Sequence, residues 1–138
     1  MRYTRYAART QVPVAKSRME IENTITRYKA DQFGIALTSD KAMIQFRMKQ
    51  WMLRFILPLP NTTEQDQRQR WRALALIIKA KFEAVESKVT TLEEEFEAHI
   101  VMPDGKTMHE HLAPKLKQIQ ESGQFLPESL LPDYTKER

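Results

Sequence analysis

The longest helical pattern in the chain runs from residue 62 to residue 88, and it limits the folds that the chain can adopt. Thr62 with Gln65, or Thr63 with Asp66, can cap its start, because a threonine hydroxyl accepts from a free backbone N–H while the later side chain reaches back. Apolar residues then recur at helical spacing. They are Trp71, Leu74, Ala75, Ile78, Phe82, Val85 and Val89. We expect this stripe to be buried, with the helix as the central element of the core.

The region before this helix changes to a period of two, which is typical of strands. Three strands separated by short polar turns are predicted at residues 33–38, 42–48 and 51–57. One face of the second and third strands is apolar and should lie on the long helix. The opposite face would carry Arg47, Lys49 and Arg54, because neighbouring side chains alternate between faces. Pro58 ends the third strand, since proline cannot donate to a ladder.

Three further helices are predicted from apolar spacing and from threonine caps. The first, at about residues 15–30, would turn Met19, Ile21, Ile25 and Tyr28 inward. The two later helices have their own inward residues. These are Leu92, Phe96 and Ile100 in the helix over 92–100, and Met108, Leu112, Leu116 and Ile119 in the helix that runs from Thr107 to about Ser122.

These elements together define an α+β fold class. We expect a three-stranded antiparallel meander packed on a long central helix, with an N-terminal helix and two shorter C-terminal helices. Residues 13–123 would form a single domain. Residues 1–12 would be a flexible basic arm, and residues 124–138 an extended C-terminal tail.

Composition excludes several kinds of site. The chain has no cysteine, so it has neither disulfides nor thiolate metal ligands. His109 and His111 lie two residues apart on a helix, which is the wrong spacing for a shared zinc ion. The three glycines are too scattered for a phosphate-binding loop. No apolar run is long enough to cross a bilayer. We therefore expect no enzyme activity, no cofactor and no membrane partner.

The charges are unevenly distributed along the chain, although the net charge is only +4. Residues 41–81 hold nine bases and two acids, whereas residues 82–104 hold seven acids and one base. A basic surface of this kind contacts phosphates without reading sequence. The candidate nucleic-acid-binding residues are Arg5, Arg9, Arg47, Lys49, Arg54, Arg68, Arg70 and Arg72. The alternative is that these side chains only keep the protein soluble or neutralise acids within the fold.

Several stretches resemble a family of small uncharacterised proteins encoded by tailed bacteriophages and prophages. The similarity spans about residues 10–120 and rests on four runs: ADQF at 30–33, RWRAL at 70–74, IKAKFEAVES at 78–87 and EEEFEAHIVMPDGKT at 93–107. The resemblance implies a phage origin and a location in the cytoplasm of the bacterial host. It implies no activity and brings no catalytic residues.

Two functions remain open at this point. The first is a small accessory protein that binds nucleic acid non-specifically through the basic residues. The second is an interaction protein that binds and inhibits a bacterial host protein, for which the acidic residues Glu93, Glu94 and Glu97 are the candidate contacts. The sequence leaves the oligomeric state open, with a homodimer among the possibilities.

Overall fold

A computed structural model describes residues 6–61 and 63–124, and within them a three-stranded sheet is covered on one face by helices. The elements in chain order are α1 (Val14–Arg27), β1 (Gln32–Leu37), β2 (Lys41–Met48), β3 (Trp51–Pro58), α2 (Glu64–Glu86), α3 (Leu92–Phe96), a one-turn 3₁₀ helix over residues 97–99, and α4 (Met108–Ser122). The predicted α+β fold class, with its meander and its long central helix, is confirmed.

The sheet has the strand order β1-β2-β3, and both pairs are antiparallel. Its inner face is apolar because alternation sends every second side chain of β2 and β3 toward the helices. The buried inner residues are Ala42, Ile44, Phe46, Met48, Leu53, Phe55 and Leu57. No residue on the outer face of these strands is buried. The sheet therefore has one core face and one open face within the described part of the chain.

Helix α2 supplies the largest helical share of the core. Thr63 caps its start, accepting from the Asp66 N–H at 3.1 Å while the Asp66 carboxylate accepts from the Thr63 N–H, so the second of the two predicted capping boxes forms. Phe82 lies centrally, with its ring centroid 6.2 Å from that of Phe46 and 4.8 Å from that of Phe96. The predicted stripe is buried from Trp71 to Phe82, and Val85 packs against its margin.

The last residue of the predicted stripe lies outside the core. Val89 is 81% exposed, because α2 stops at Glu86 and Lys88 takes a positive φ of 63° that ends the helical path. The prediction for α1 was also partly wrong. Ile21 and Ile25 are fully buried against α2, but Met19 is 60% exposed and points away from the core.

The last part of the described chain returns to β3 before it forms α4. Leu92, Phe96 and Ile100 are buried as predicted, and the Val101 N–H donates to the Met52 carbonyl at 2.8 Å. Gly105, with φ of +87°, turns the chain toward Thr107, which caps α4.

Helix α4 departs from the prediction for its inner face. It has no buried residue: Met108, Leu112 and Ile119 are half-buried, and Leu116 is 46% exposed. Its apolar spacing is real, but its main packing partner among the described elements is the one-turn 3₁₀ helix, which is too short to bury that face. The fold therefore rests on the sheet with α1, α2 and α3, and α4 adds little to its core.

Both ends of the chain carry predictions that fall partly outside the described residues. Residues 125–138 of the expected tail lie outside them, as do residues 1–5 of the expected arm. Residues 6–10 lie along the start of α2, where the Gln69 side chain donates to the Tyr6 carbonyl and the Gln65 side chain donates to the carbonyls of Ala8 and Thr10. Among the helices that are described, none is sufficiently long and apolar to span a membrane.

Candidate functional site

Arg47 and Arg54, which were predicted to form a basic stripe on the outer face of the sheet, both make hydrogen bonds within the chain. Arg47 makes a two-pronged ion pair with Asp31, with distances of 2.9 Å and 2.6 Å. The guanidinium of Arg47 holds the pKa of the Asp31 carboxyl below its usual value. Arg54 donates from Nε to Gln45 at 2.9 Å and from Nη1 to the Gly105 carbonyl at 2.8 Å. Both arginines lie on the predicted face, but each already has partners.

Lys49 does not continue this stripe, which corrects the prediction. It lies in the two-residue turn between β2 and β3 and has φ of 53°, so it is outside the alternation that places Arg47 on the outer face. A tight hairpin turn favours positive φ, and the strand pattern cannot be extended into it. Lys49 is exposed at the end of the sheet.

The three arginines at the start of α2 are spread over different sides of the helix. Arg68 donates to Gln65 and pairs with Glu64 at 3.3 Å, and Arg72 pairs with Glu20 of α1. Arg70 points toward β3 and donates to the Pro58 carbonyl at 2.8 Å. Arg9 is exposed and Arg5 lies outside the described residues. The structure therefore does not gather the predicted basic residues into one surface.

The acidic candidates lie on and just after α3. Glu93 accepts from the Trp51 indole N–H at 2.8 Å, which is the main reason that its pKa is lowered. Glu94 accepts from the Thr91 hydroxyl at 3.3 Å, and Glu97 is exposed. Two of the three carboxylates thus hold local structure, and Glu97 is left facing solvent.

His99 and His111 each have partners within the chain. The His99 ring stacks on Phe55 with centroids 3.8 Å apart, and its Nδ1 lies 3.2 Å from the Arg54 carbonyl oxygen. His111 pairs with Asp104 at 2.9 Å. No group of three or more potential metal ligands occurs among residues 6–61 and 63–124.

A free strand edge is the feature that the sequence reasoning missed. Thr38 donates its N–H to the Lys41 carbonyl at 2.9 Å, and the register continues from there through Ala36↔Met43 and Gly34↔Gln45. Because antiparallel pairing alternates, the even-numbered residues of β1 direct their N–H and C=O groups toward β2. The odd-numbered residues, Phe33, Ile35 and Leu37, therefore direct theirs away from the sheet. None of these groups has a hydrogen-bond partner in the described part of the chain.

The opposite edge of the sheet is covered along its middle. On β3 the outward carbonyl of Met52 accepts from the Val101 N–H, and that of Arg54 is contacted by His99. Leu53 and Ile100 form an additional bridge. Further along β3, the outward N–H and C=O of Ile56 have no partner in the described part of the chain. The β1 side therefore offers the longer run of unpaired backbone groups.

Two hollows flank the β1 edge, one on each side of the strand. The first, of about 360 Å³, lies on the outer face of the sheet and includes Gly34, Ala36, Met43 and Met52 in its lining. The second, of about 440 Å³, lies between β1 and α1. Met19, the exposed apolar residue of α1, lines it. The edge thus runs between two largely apolar depressions.

The sequence contains one signal of this edge. The stretch QFGIAL over β1 has no charged residue and no proline, although natural edge strands are commonly protected by lysine, proline or a bulge. The sequence alone does not show which strand is an edge, so the signal becomes informative only when the strand order is known.

Comparisons with protein-family models, with curated proteins and with solved structures give no match. The resemblance to phage-encoded proteins therefore stays an expectation.

Proposed function

We propose that the protein is a non-catalytic interaction protein that binds another protein on the β1 side of its sheet. The observation that carries the proposal is the unpaired, uncharged edge of β1, which lies between two largely apolar hollows. Unpaired strand edges and exposed apolar patches are typical of sites where a polypeptide docks. If the resemblance to phage-encoded proteins holds, the partner is a protein of the bacterial host cytoplasm.

The character of the outer face favours a protein partner over single-stranded nucleic acid. Single-strand binders stack bases on aromatic side chains beside a positively charged groove. All aromatic residues of the three strands are at positions whose side chains face the inner side of the sheet. They are Phe33, Phe46, Trp51 and Phe55. The outer face presents Met43, Met52 and Ile56 instead. Flexible methionine surfaces adapt to apolar side chains.

The arginines support the same choice. Arg47, Arg68 and Arg72 are each paired with a carboxylate. A phosphate would have to displace these acids, so each contact would contribute less to binding than a free guanidinium does.

Nucleic-acid binding is kept as the second candidate because the Arg47–Asp31 pair is exposed. Its side chains are 42% and 54% accessible, and Lys49 lies exposed two residues further along the chain. If this function is correct, Asp31→Asn frees Arg47 and should strengthen binding to DNA or RNA at low salt. Titration at about 50 mM salt, where the electrostatic contribution is large, decides the matter. Binding by neither protein excludes the candidate.

The leading proposal is tested by capture from a bacterial lysate with the tagged full-length chain, with and without nuclease. We expect the chain to capture a discrete protein, and we expect nuclease to leave this capture unchanged. Met43→Lys on the outer face should abolish the capture, whereas Gln120→Lys on the exposed side of α4 should preserve it. Each variant adds one positive charge, so the pair separates location from charge. Capture that disappears with nuclease, or that is unaffected by Met43→Lys, contradicts the proposal.

A further inference from the structure

The free edge of β1 also indicates the form of the partner. We propose that β1 accepts an extended polypeptide segment as a fourth strand of the sheet, with a large apolar side chain of that segment lying against Gly34. This inference rests on the proposed function, because it names the kind of protein segment that the surface binds.

The backbone of β1 is already arranged for such pairing. Phe33, Ile35 and Leu37 together present three N–H donors and three C=O acceptors along one line. An added antiparallel strand supplies the complementary groups at the same spacing, which is the basis of binding by strand addition. The strand needs no rearrangement, since β1 is held in register by β2 over its whole length.

Gly34 is the position that specifies the side chain of the segment. Its φ lies outside the left-handed region, so the backbone does not require glycine there. A Cβ built on Gly34 would meet nothing within 4 Å, so core packing does not require glycine either. A glycine inside a strand weakens the sheet and often marks the close approach of a ligand. The missing side chain leaves space on the outer face that a large side chain from a neighbouring strand can fill.

The two hollows fit the alternation of an added strand. Its side chains would point by turns to the outer face, beside Gly34 and Met43, and to the groove next to Met19. The outer hollow has no charged residue in its lining, and the groove has one residue of each sign, Arg18 and Glu22. The charges therefore favour a segment that is apolar and uncharged at its centre.

The size of the edge favours an extended segment over a second copy of this chain. A six-residue strand is about 20 Å long, and a strip about 10 Å wide along it covers roughly 200 Å². A stable complex of two folded proteins buries about 800 Å² on each partner. A second copy paired antiparallel about Ile35 would also place only the methyl group of its Ala36 opposite Gly34, and the outer hollow would stay largely empty.

The test uses a displayed library of random peptides about ten residues long, enough to span the edge, selected on the full-length protein. Peptides with a large apolar residue near the middle should be recovered. Their dissociation constants are then measured for the unmodified protein, for Leu37→Pro and for Leu37→Ala. Leu37→Pro removes a free N–H and should weaken binding about tenfold or more. Leu37→Ala keeps the N–H and should change binding by about threefold or less.

Gly34→Val provides a second variant if Leu37→Pro proves too unstable to measure. Valine favours strands and fills the space at this position, so the fold should be kept while peptides with a bulky central residue lose about tenfold or more in affinity. Peptide binding should also slow amide exchange at residues 33, 35 and 37.

Three outcomes would overturn the inference. They are a library that yields no binders, binders that are insensitive to both Leu37→Pro and Gly34→Val, and a protein that sediments as a dimer which Leu37→Pro dissociates. Each leaves the proposed function standing if lysate capture still depends on Met43, so the two failures can be told apart.

Discussion

The two edges of the sheet belong to one short meander, yet they differ in how far their outward backbone groups are paired. At β3, residues 99–101 return to the strand and occupy the outward carbonyls of Met52 and Arg54. At β1, the backbone groups of alternate residues stay unpaired in the described part of the chain, and the strand has no charge, proline or interior bulge to block pairing. Natural sheets usually protect exposed edges against association. The edge of β1 is therefore the part of the described sheet that is most open to pairing with an added strand.

The contrast extends to the side chains of the two edge strands. Phe55 of β3 is 4% exposed and contacts Phe46, Phe96 and His99, whereas Phe33 of β1 is only half-buried. Phe55→Ala should therefore lower the free energy of unfolding by about 3–5 kcal/mol, because a large buried ring leaves a cavity. Phe33→Ala should cost clearly less. Urea denaturation of both variants measures this, and equal losses would mean that β1 is packed as firmly as β3.

Proline substitutions probe the direction of the backbone groups in β1. The Ala36 N–H donates to β2, so Ala36→Pro removes a ladder bond, leaves an acceptor of β2 unpaired and should cost about 1–3 kcal/mol. The Leu37 N–H points to the free edge, and proline is tolerated in edge strands where the N–H faces solvent. Leu37→Pro and Leu37→Ala should thus lower the free energy of unfolding by amounts that differ by less than about 1 kcal/mol. Thermal denaturation of the three variants decides, and a reversed order would mean that the outward positions have been assigned to the wrong residues.

The covered edge should be sensitive to pH through His99. Burial lowers the pKa of His99 below its usual value of 6.5, and the hydrogen bond with the Arg54 carbonyl opposes this only in part. As pH falls below about 6.5, the unfolded chain binds a proton before the folded chain does, so the free energy of unfolding decreases. We expect this loss between about pH 7 and pH 5, and we expect it to be reduced in His99→Gln.

The charge of His109 also lowers the pKa of His99, so His109→Gln should reduce the pH effect without abolishing it. Urea midpoints across this range test both variants. Identical profiles for the unmodified protein and His99→Gln would show that His99 does not titrate differently on folding. The loss of stability at low pH should be smaller than the losses caused by Phe55→Ala and by Ala36→Pro.

Much of the fold follows from local patterns in the sequence. The three strands, the Thr63–Asp66 and Thr107–Glu110 capping boxes and the buried residues from Trp71 to Phe82 are set by neighbours close in the chain. Periodicity failed where it was extended past an element, at Lys49 in a turn and at Val89 beyond a helix end. It also failed in α4, because an apolar face indicates that burial would be favourable and not that a neighbour is present.

The candidate site could not be read from the sequence because it depends on long-range placement. Arg47 meets Asp31 sixteen residues away, and residues 99–101 cover β3 rather than β1. Neither fact has a local signal. The sequence does contain an uncharged strand with a central glycine, but that pattern marks a binding edge only once the strand is known to be an edge.

Amide hydrogen exchange of the unliganded full-length protein, resolved by residue, tests the open edge most directly. Ladder amides exchange slowly because the sheet must open first, whereas an amide facing solvent exchanges without that opening. We predict slow exchange at Gly34 and Ala36 and fast exchange at Phe33, Ile35 and Leu37. Equal protection at all five positions would show that a second copy or another part of the chain already covers β1, and would contradict the account.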